Sequence, residues 1–217
     1  MKKVLITGTS RGIGLATAKK FLSEGFFVIG TSTSGKSHID DQNYVCLKFQ
    51  LADPQSIATT AKTVKEKYAP IDILINNAAV SLEPNAPDMD VSILRQTLEV
   101  NLVGIIDFTE QVLPDVKPEG HVLNITSGMA SLEYPPSIWP AYSISKAALN
   151  MYTRMLAQRL KRKNITVSAI DPGWVRTDMG GPGAPLMPKE PAEVIFKFVN
   201  SNPDSGYFWY GGKKRSW

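Results

Sequence analysis

The sequence predicts an α/β protein in which a doubly wound parallel sheet is covered by helices on both faces. Short apolar runs alternate along the chain with longer stretches of helical period. Strands that alternate with helices of this size form parallel sheets. The 217 residues, 43% of them hydrophobic, can bury a sizeable core, and glycine and proline are scattered rather than gathered in a linker. We therefore expect a single domain over residues 1–217.

The predicted elements follow these runs in chain order. Strands are predicted at residues 2–7, 26–31, 44–50, 71–75, 120–126 and 165–170. Helices are predicted at residues 12–24, 53–68, 91–113 and 142–161. Asp53 and Pro54 supply an N-cap and a proline at the first helical position of the second helix. Residues 206–212 are compatible with a last strand and a turn. Residues 179–188, with three glycines and three prolines, are too irregular for a strong helix and are a candidate mobile lid.

The composition excludes several classes of function. The net charge of +4 and the short basic clusters at residues 161–163 and 213–215 are typical of solvated helix ends and tails, so no nucleic-acid partner is expected. No apolar run is long enough to cross a membrane or to form a secretory core, so we expect a cytoplasmic protein without a membrane partner. Cys46 lies in an apolar strand-like run, which favours a buried strand residue over a nucleophile. His38 and His121 are interpreted as structural, and no metal site is predicted.

A glycine-rich segment joins the first predicted strand to the first predicted helix. Residues 7–14 read T-G-T-S-R-G-I-G, with the spacing G-x-x-x-G-x-G rather than G-x-G-x-x-G. Glycines let the backbone approach a pyrophosphate closely, and the free N–H groups and dipole of a helix start attract its charge. Such a segment can also be a simple turn. The strand before it and the helix after it favour a dinucleotide site in a Rossmann-type fold.

The end of the second predicted strand bears on which dinucleotide binds. NAD sites usually place an acidic residue here to bind the ribose 2′-hydroxyl, and that residue would repel a 2′-phosphate. This chain instead has Thr31 and Ser32 at the strand end and Arg11 in the glycine loop, and a guanidinium pairs well with phosphate oxygens. The sequence therefore predicts NADP(H) in preference to NAD(H). A solvated loop arginine is the alternative interpretation of Arg11.

Tyr142 and Lys146 stand four residues apart at the start of a predicted helix, where residues i and i+4 share one face. A fixed positive charge favours phenolate over phenol, so the pair is suited to acid–base chemistry. The spacing alone is also typical of an ordinary helix start with a surface lysine. The ends of the predicted strands add Asn76-Asn77, Ser127 and residues 171–173. In parallel sheets ligands bind beyond the carboxyl ends of the strands, so we expect these groups to converge on one crevice.

From residue 4 to about residue 180, the chain resembles the short-chain dehydrogenase/reductase family. Residues 7–14 match its T-G-x-x-x-G-x-G loop, residues 76–79 resemble N-N-A-G, and residues 172–177 match P-G-x-x-x-T. Its active-site positions correspond to Asn101, Ser127, Tyr142 and Lys146. The cofactor-binding positions that the resemblance implies are Gly8, Ser10, Arg11, Gly12, Ile13, Gly14, Thr31, Ser32, Asn77, Ala78, Tyr142, Lys146, Pro172, Gly173, Val175 and Thr177.

The resemblance also implies a role for each active-site residue. Tyr142 would protonate a carbonyl oxygen while NADPH delivers hydride to its carbon, or accept the proton in alcohol oxidation. Lys146 would lower the pKa of Tyr142 and hold the nicotinamide ribose. Ser127, rather than the preceding Thr126, would hydrogen-bond the substrate oxygen. Asn101 would hold a water that links Lys146 to solvent.

This chain departs from the family pattern at several positions. Gln50 stands where an aspartate often contacts adenine, and Ala79 replaces the last glycine of N-N-A-G. Residues 133–140 form an enlarged loop beside the expected pocket, and the tail weakly resembles carbonyl-reductase-like members. The candidate apolar walls of the pocket are Trp139, Trp174, Met179 and Met187.

The function predicted from the sequence is NADPH-dependent reduction of a small-molecule aldehyde or ketone, with reversible alcohol oxidation. The family resemblance implies a homodimer or homotetramer. The alternative is a catalytically silent dinucleotide-binding protein with a regulatory or interaction role.

Overall fold

The computed structural model describes residues 1–84 and 87–217 and shows one eight-stranded sheet in the order β3-β2-β1-β4-β5-β6-β7-β8. The strands are β1 (Lys3–Ile6), β2 (Phe27–Ser32), β3 (Tyr44–Lys48), β4 (Ile71–Asn76), β5 (Val116–Ile125), β6 (Thr166–Asp171), β7 (Phe208–Tyr210) and β8 (Lys213–Arg215). The α-helices are α1 (Gly12–Ser23), α2 (Pro54–Lys67), α3 (Val91–Leu98), α4 (Gly104–Val112), α5 (Pro140–Leu160) and α6 (Lys189–Val199). Strands β1 to β7 pair in parallel and β8 is antiparallel to β7.

The core lies on both faces of this sheet because successive strand residues point to opposite sides. In β1, Leu5 faces a cluster with Phe108 of α4 and Leu156 of α5. Its neighbour Val4 faces a second cluster with Phe21 of α1. From β1, the sheet extends through β2 to β3 on one side, and β4 pairs with the other side of β1. The predicted doubly wound parallel sheet is therefore confirmed.

The predicted and observed elements differ mainly in the helix predicted at residues 91–113 and in the segment after β6. The helix predicted at residues 91–113 is divided into α3 and α4 by a π-helical turn, Glu99–Val103. Helix α6 was not among the predicted helices, although its residues Ile195 and Phe198 pack in the same cluster as Phe21 of α1. The last predicted strand and turn are present as β7 and the residues after it, and β8 follows them. Among the described residues, no helix combines the length and the apolarity needed to cross a membrane.

Asp53 caps α2 as expected, since its side chain accepts a hydrogen bond from the backbone N–H of Gln55 and Pro54 follows it. Helix α5 begins at Pro140, two residues before Tyr142. The residue before it, Trp139, has a φ of 53° and provides no side-chain cap. A side chain distant in the sequence acts at this helix start instead. Glu83 Oε1 accepts a hydrogen bond of 3.1 Å from the backbone N–H of Tyr142.

His121 is a buried residue of β5, and its ring contacts other buried side chains. Its Nε2 lies 3.1 Å from Ser168 Oγ on β6, and its ring centre lies 5.9 Å from that of Phe198. Burial lowers the pKa of His121 from 6.5 to about 4. The imidazole is therefore neutral in the folded protein at neutral pH, whereas the unfolded chain takes up a proton near the ordinary pKa.

We predict that this histidine makes the protein less stable as the pH falls through the window from 6.5 to about 4. In that window the unfolded state binds a proton that the folded state excludes, so the free energy of unfolding decreases with falling pH. His121→Gln keeps an amide for Ser168 but does not titrate there. Urea unfolding at pH 7 and pH 5 should show a smaller loss of stability for the variant.

The exposed His38 provides the matched control, because His38→Gln removes an imidazole that lies outside the sheet. The control should keep the wild-type difference between the two pH values. The same pH dependence in His121→Gln as in the wild type would contradict the assignment.

Candidate active site

A cleft of about 710 Å³ opens beyond the carboxyl ends of β1, β2, β3 and β4. It lies where the strand order reverses between β1 and β4, the place at which open α/β sheets bind ligands. The predicted cofactor-binding residues that line it are Gly8, Ser10, Arg11, Gly12, Ile13, Gly14, Thr31, Ser32, Asn77, Ala78, Tyr142, Lys146, Pro172 and Thr177. The structure thus brings most of the predicted positions to one crevice.

The glycine loop is shaped by one very close contact between its ends. A Cβ added to Gly14, at the start of α1, would lie 2.0 Å from the carbonyl oxygen of Gly8. Only glycine fits there, and Gly8 itself has a φ of 74°. No side chain caps the N-terminus of α1. Its first N–H groups and its dipole are therefore available to an anion, and the loop fits the pyrophosphate of a dinucleotide.

Asn77 holds the glycine loop in place as well as lining the cleft. Its Nδ2 donates to the carbonyl oxygens of Thr7 at 2.9 Å and Gly8 at 3.1 Å. In return, Thr7 Oγ1 accepts from the backbone N–H groups of Asn77 and Ala78, both at 3.0 Å. These bonds fasten the end of β4 to the loop after β1. The sequence identified Asn77 and Ala78 as cofactor-binding positions but not this supporting role.

The end of β2 presents hydroxyl groups rather than a carboxylate. Thr31 and Ser32 line the cleft, while Thr31 Oγ1 accepts from the N–H of Gly8 at 3.2 Å. Arg11 is exposed and forms an ion pair with the exposed Asp178 at 3.1 Å. Exposed pairs of this kind contribute about 0–1 kcal/mol, so Arg11 can exchange Asp178 for a phosphate at little cost. Gln50 lines the same cleft, at the position where the family often has an aspartate.

Tyr142 and Lys146 line the cleft, and Ser127 lies next to Tyr142. Lys146 Nζ lies 5.7 Å from the centre of the Tyr142 ring and donates to the carbonyl oxygen of Ile125 at 2.9 Å. Lys146 is only 2% exposed, and burial lowers its pKa to about 8, so most of it stays charged at neutral pH. Ser127 Oγ accepts from the N–H of Met129 at 3.2 Å, and the Ser127 side chain is close enough to the Tyr142 phenol to act on its pKa.

The pKa of Tyr142 is shifted in the direction opposite to the predicted one. Burial raises it from 10.0 to about 12, the nearby Ser127 side chain opposes this, and the charge of Asp171 adds to it. The cost of removing a phenolate from water outweighs the effect of Ser127, and the lowering of this pKa by Lys146 stays a prediction. Tyr142 is therefore a protonated phenol at neutral pH.

Asn101 lies in the π-helical turn and is fully buried. Its Oδ1 accepts from the N–H of Val80, and its Nδ2 donates to the Val80 carbonyl, both at 2.8 Å. The same Nδ2 lies 3.2 Å from Ser145 Oγ on α5. Asn101 thus fastens the segment after β4 to the helix that carries Tyr142. π-Helical turns often occur at functional sites. Its assignment to a water relay stays a prediction.

Other predicted positions lie beside the cleft rather than on its wall. Val175 is 4% exposed and pairs with Leu186 in an isolated bridge, while Gly173 donates its N–H to Asp171 Oδ1 at 2.9 Å. Thr126 lines the cleft, but its hydroxyl donates to the Ile170 carbonyl at 3.3 Å, which leaves Ser127 as the hydroxyl next to Tyr142.

Of the candidate apolar walls, Met179 lines the described cleft, and Trp139, Trp174 and Met187 do not. Trp174 Nε1 donates instead to the Gly180 carbonyl at 2.8 Å. Residues 179–188 contain no helix, in line with the prediction, and Arg176 N–H bonds the Leu186 carbonyl at 2.8 Å. The cleft also contains Arg176 and Asp178, which the sequence analysis did not select although both lie in or beside the P-G-x-x-x-T segment.

Comparisons with known proteins agree with this geometry. The family model described as short chain dehydrogenase matches residues 2–184. The short-chain dehydrogenase anuI of Penicillium roqueforti is 31% identical over 204 residues, which cover 82% of this chain and 80% of that protein. The 3-oxoacyl-[acyl-carrier-protein] reductase FabG of Haemophilus influenzae is 31% identical over 186 residues, covering 82% and 76%. The NADPH-bound carbonyl reductase from chicken fatty liver is 25% identical, with a TM-score of 0.90 over 100% of this chain and 94% of that one.

We predict that Gly14→Ala weakens nucleotide binding by about tenfold or more, because the new Cβ would force the helix start away from Gly8. Titration with NADPH, followed by nucleotide fluorescence, measures the effect, and the unfolding midpoint shows whether the fold persists. Gly183→Ala is the matched control, since its Cβ would meet nothing closer than 3.8 Å. Equal NADPH affinities for the two variants would contradict the role given to the close contact.

Proposed function

This chain belongs to the short-chain dehydrogenase family of oxidoreductases, and we propose that it is an NADPH-dependent reductase of aldehyde or ketone carbonyls that also oxidises the corresponding alcohols. The observation that carries the proposal is the buried Lys146 beside Tyr142, with Ser127 next to the phenol, at the edge of a cleft with an uncapped helix start. The carbonyl reductase among the similar structures supports the same reaction.

The chain's own residues would hold the cofactor along the cleft. The N–H groups after Arg11 would bind the pyrophosphate, and Lys146 and Thr177 would bind the nicotinamide end. When bound, the nicotinamide cofactor supplies the hydride. The cationic side chains of the described lining are Arg11, Lys146 and Arg176, against the single carboxylate of Asp178, so the cleft favours a polyanion.

Tyr142 is the proton donor in the proposed reduction. With a pKa of about 12, it keeps its proton at neutral pH until the substrate oxygen gains negative charge, and it then transfers that proton. Ser127 would donate a hydrogen bond to the same oxygen and stabilise the developing charge. The ammonium of Lys146, on the same face of α5, would stabilise the phenolate that remains. The carbonyl is thereby reduced to an alcohol by one hydride and one proton.

Preference for NADP(H) over NAD(H) is part of the proposal. It is supported by the hydroxyl groups at the end of β2, by the exposed Arg11 and by the NADPH bound to the chicken carbonyl reductase. A homodimer or homotetramer is proposed as well. Ile144, Met151 and Met155 are exposed along one side of α5 and would be covered in such an assembly. The cytoplasmic location stays a prediction from the sequence.

The direct test is turnover of NADPH with a panel of aldehydes, ketones, diones and quinones. We predict that the wild-type protein consumes NADPH with at least one carbonyl class and that Tyr142→Phe abolishes turnover by removing the proton donor. The NADPH dissociation constant of the variant should stay within about threefold, since the phenol contributes little to binding.

Tyr68→Phe is the matched control, because Tyr68 stacks on Phe27 away from the cleft and its variant should keep wild-type turnover. Undiminished turnover by Tyr142→Phe would remove Tyr142 from its role. Tight NADPH binding without turnover by the wild type would favour the catalytically silent alternative.

We predict that Arg11→Ala weakens NADPH binding by about 1–3 kcal/mol, the contribution of a charged hydrogen bond, and barely changes NADH binding. Asp178→Asn is a companion variant, for which we expect the change in NADPH affinity not to have the sign expected for Arg11→Ala. It removes the carboxylate that competes for Arg11, so NADPH affinity should stay equal or increase. Equal losses for both nucleotides in Arg11→Ala would show that Arg11 does not bind the 2′-phosphate.

A further inference from the structure

A partly buried ion pair joins the C-terminal tail to the end of β6. Arg215 Nη1 donates to Asp171 Oδ2 at 2.6 Å, and the Asp171 side chain is only 7% exposed. The guanidinium carbon lies 5.7 Å from the ring centres of both Phe208 and Tyr210. Removing one member of such a pair leaves an uncompensated buried charge, so the two residues depend on each other.

The ion pair lies directly behind the turn that carries Ser127. A Cβ added to Gly128, the next residue, would lie 2.8 Å from Asp171 Oδ2 and 3.0 Å from Arg215 Nη1. The other carboxylate oxygen of Asp171 accepts the N–H of Gly173 at 2.9 Å. One carboxylate therefore touches the segment after β5, the segment after β6 and the tail.

The tail is fastened to the same region at a second point. The carbonyl oxygen of Trp217 accepts from the N–H of Leu132 at 3.1 Å, and the Trp217 ring stacks on Phe208 at a centre distance of 5.9 Å. Leu132 follows the short helical turn that begins after Ser127. The matched family region ends at residue 184, so neither Arg215 nor Trp217 belongs to the residues that identify the family.

We propose that Arg215 is a positioning residue for the proposed carbonyl reduction. Its ion pair with Asp171 holds the Ser127 turn and the Pro172-Gly173 segment in place beside Tyr142, and it compensates the charge of a nearly buried carboxylate. The inference rests on the proposed function, because it concerns the same site.

The charged and polar groups around Tyr142 come from several elements. Lys146 lies on the same helix, Ser127 follows β5, Asp171 ends β6, and Glu83 accepts the backbone N–H of Tyr142 from the segment after β4. The negative charge of Asp171 already raises the pKa of Tyr142. Without Arg215 this effect increases, so alcohol oxidation, which needs the phenolate, requires a more alkaline solution.

The test compares Arg215→Met, Asp171→Asn and the double variant in the full chain, with Lys214→Met as the matched control. Lys214 is the neighbouring cation on β8, but it pairs with the exposed Asp204 and lies over Tyr207. For each protein we would measure kcat and KM of reduction, the NADPH dissociation constant, the pH profile of alcohol oxidation and the unfolding midpoint.

We expect Arg215→Met to lower kcat by about tenfold or more, with NADPH affinity within about twofold, because small displacements at a reactive site are costly. Its oxidation profile should move to higher pH, whereas the profiles of Asp171→Asn and the double variant should not. Lys214→Met should match the wild type. A lower unfolding midpoint for Arg215→Met with wild-type kcat and pH profile would overturn the proposal.

Hydrogen exchange gives a result that does not depend on turnover. The N–H groups of Met129 and Leu132, which bond Ser127 Oγ and the Trp217 carbonyl, should exchange faster in Arg215→Met than in Lys214→Met. If the wild type turns over no carbonyl but this difference is seen, the proposed function fails while the positioning of the Ser127 turn stands. Equal exchange in the two variants would overturn the positioning role.

Discussion

The close approach of α1 to the carbonyl of Gly8 is the constraint on which the cleft depends. A helix start placed this near a strand end leaves no room for a side chain at Gly14. Asn77 keeps the arrangement by donating to the backbone carbonyls of Thr7 and Gly8. Because β1 and β4 are neighbours, these contacts also fix the segment that continues to Val80. Val80 in turn holds Asn101, and Asn101 reaches α5 through Ser145. A chain of polar contacts thus connects the glycine loop to the helix that carries Tyr142.

Burial shifts the pKa values of Tyr142 and Lys146, both on α5, in opposite directions. Tyr142 keeps its proton more firmly and Lys146 holds its own less firmly than either would in water. Each shift disfavours the charged form of the side chain, because a buried charge loses its hydration. A lysine with a pKa of about 8 still carries most of its charge at neutral pH and can stabilise what the phenol leaves behind. The low polarity that makes the phenolate costly also strengthens every hydrogen bond made to it.

The sequence was sufficient for the parts of the structure that depend on local pattern and short motifs. The period of the apolar residues identified the parallel sheet, and the glycine loop could be placed because strand, loop and helix are contiguous. The parts that depend on burial or on contacts between residues distant in the sequence could not be predicted. The π-helical turn around Asn101 accompanies a contact in which a Cβ on Gly104 would lie 2.0 Å from the Leu51 carbonyl. The direction of the pKa shift of Tyr142 follows from burial, which no spacing reveals. Asp171 and Arg215, 44 residues apart, carry no local sign that they meet.

The short strand β8 has a consequence for the protein's behaviour in solution. It ends the sheet, and a sheet edge offers unpaired backbone groups to the edge of another molecule. Here the edge is only three residues long, antiparallel to its neighbour and composed of Lys213, Lys214 and Arg215. The two lysines are exposed, so a second strand that approached this edge would meet like charges and lysine hydration. The tail that reaches behind the Ser127 turn also protects the sheet against edge-to-edge aggregation.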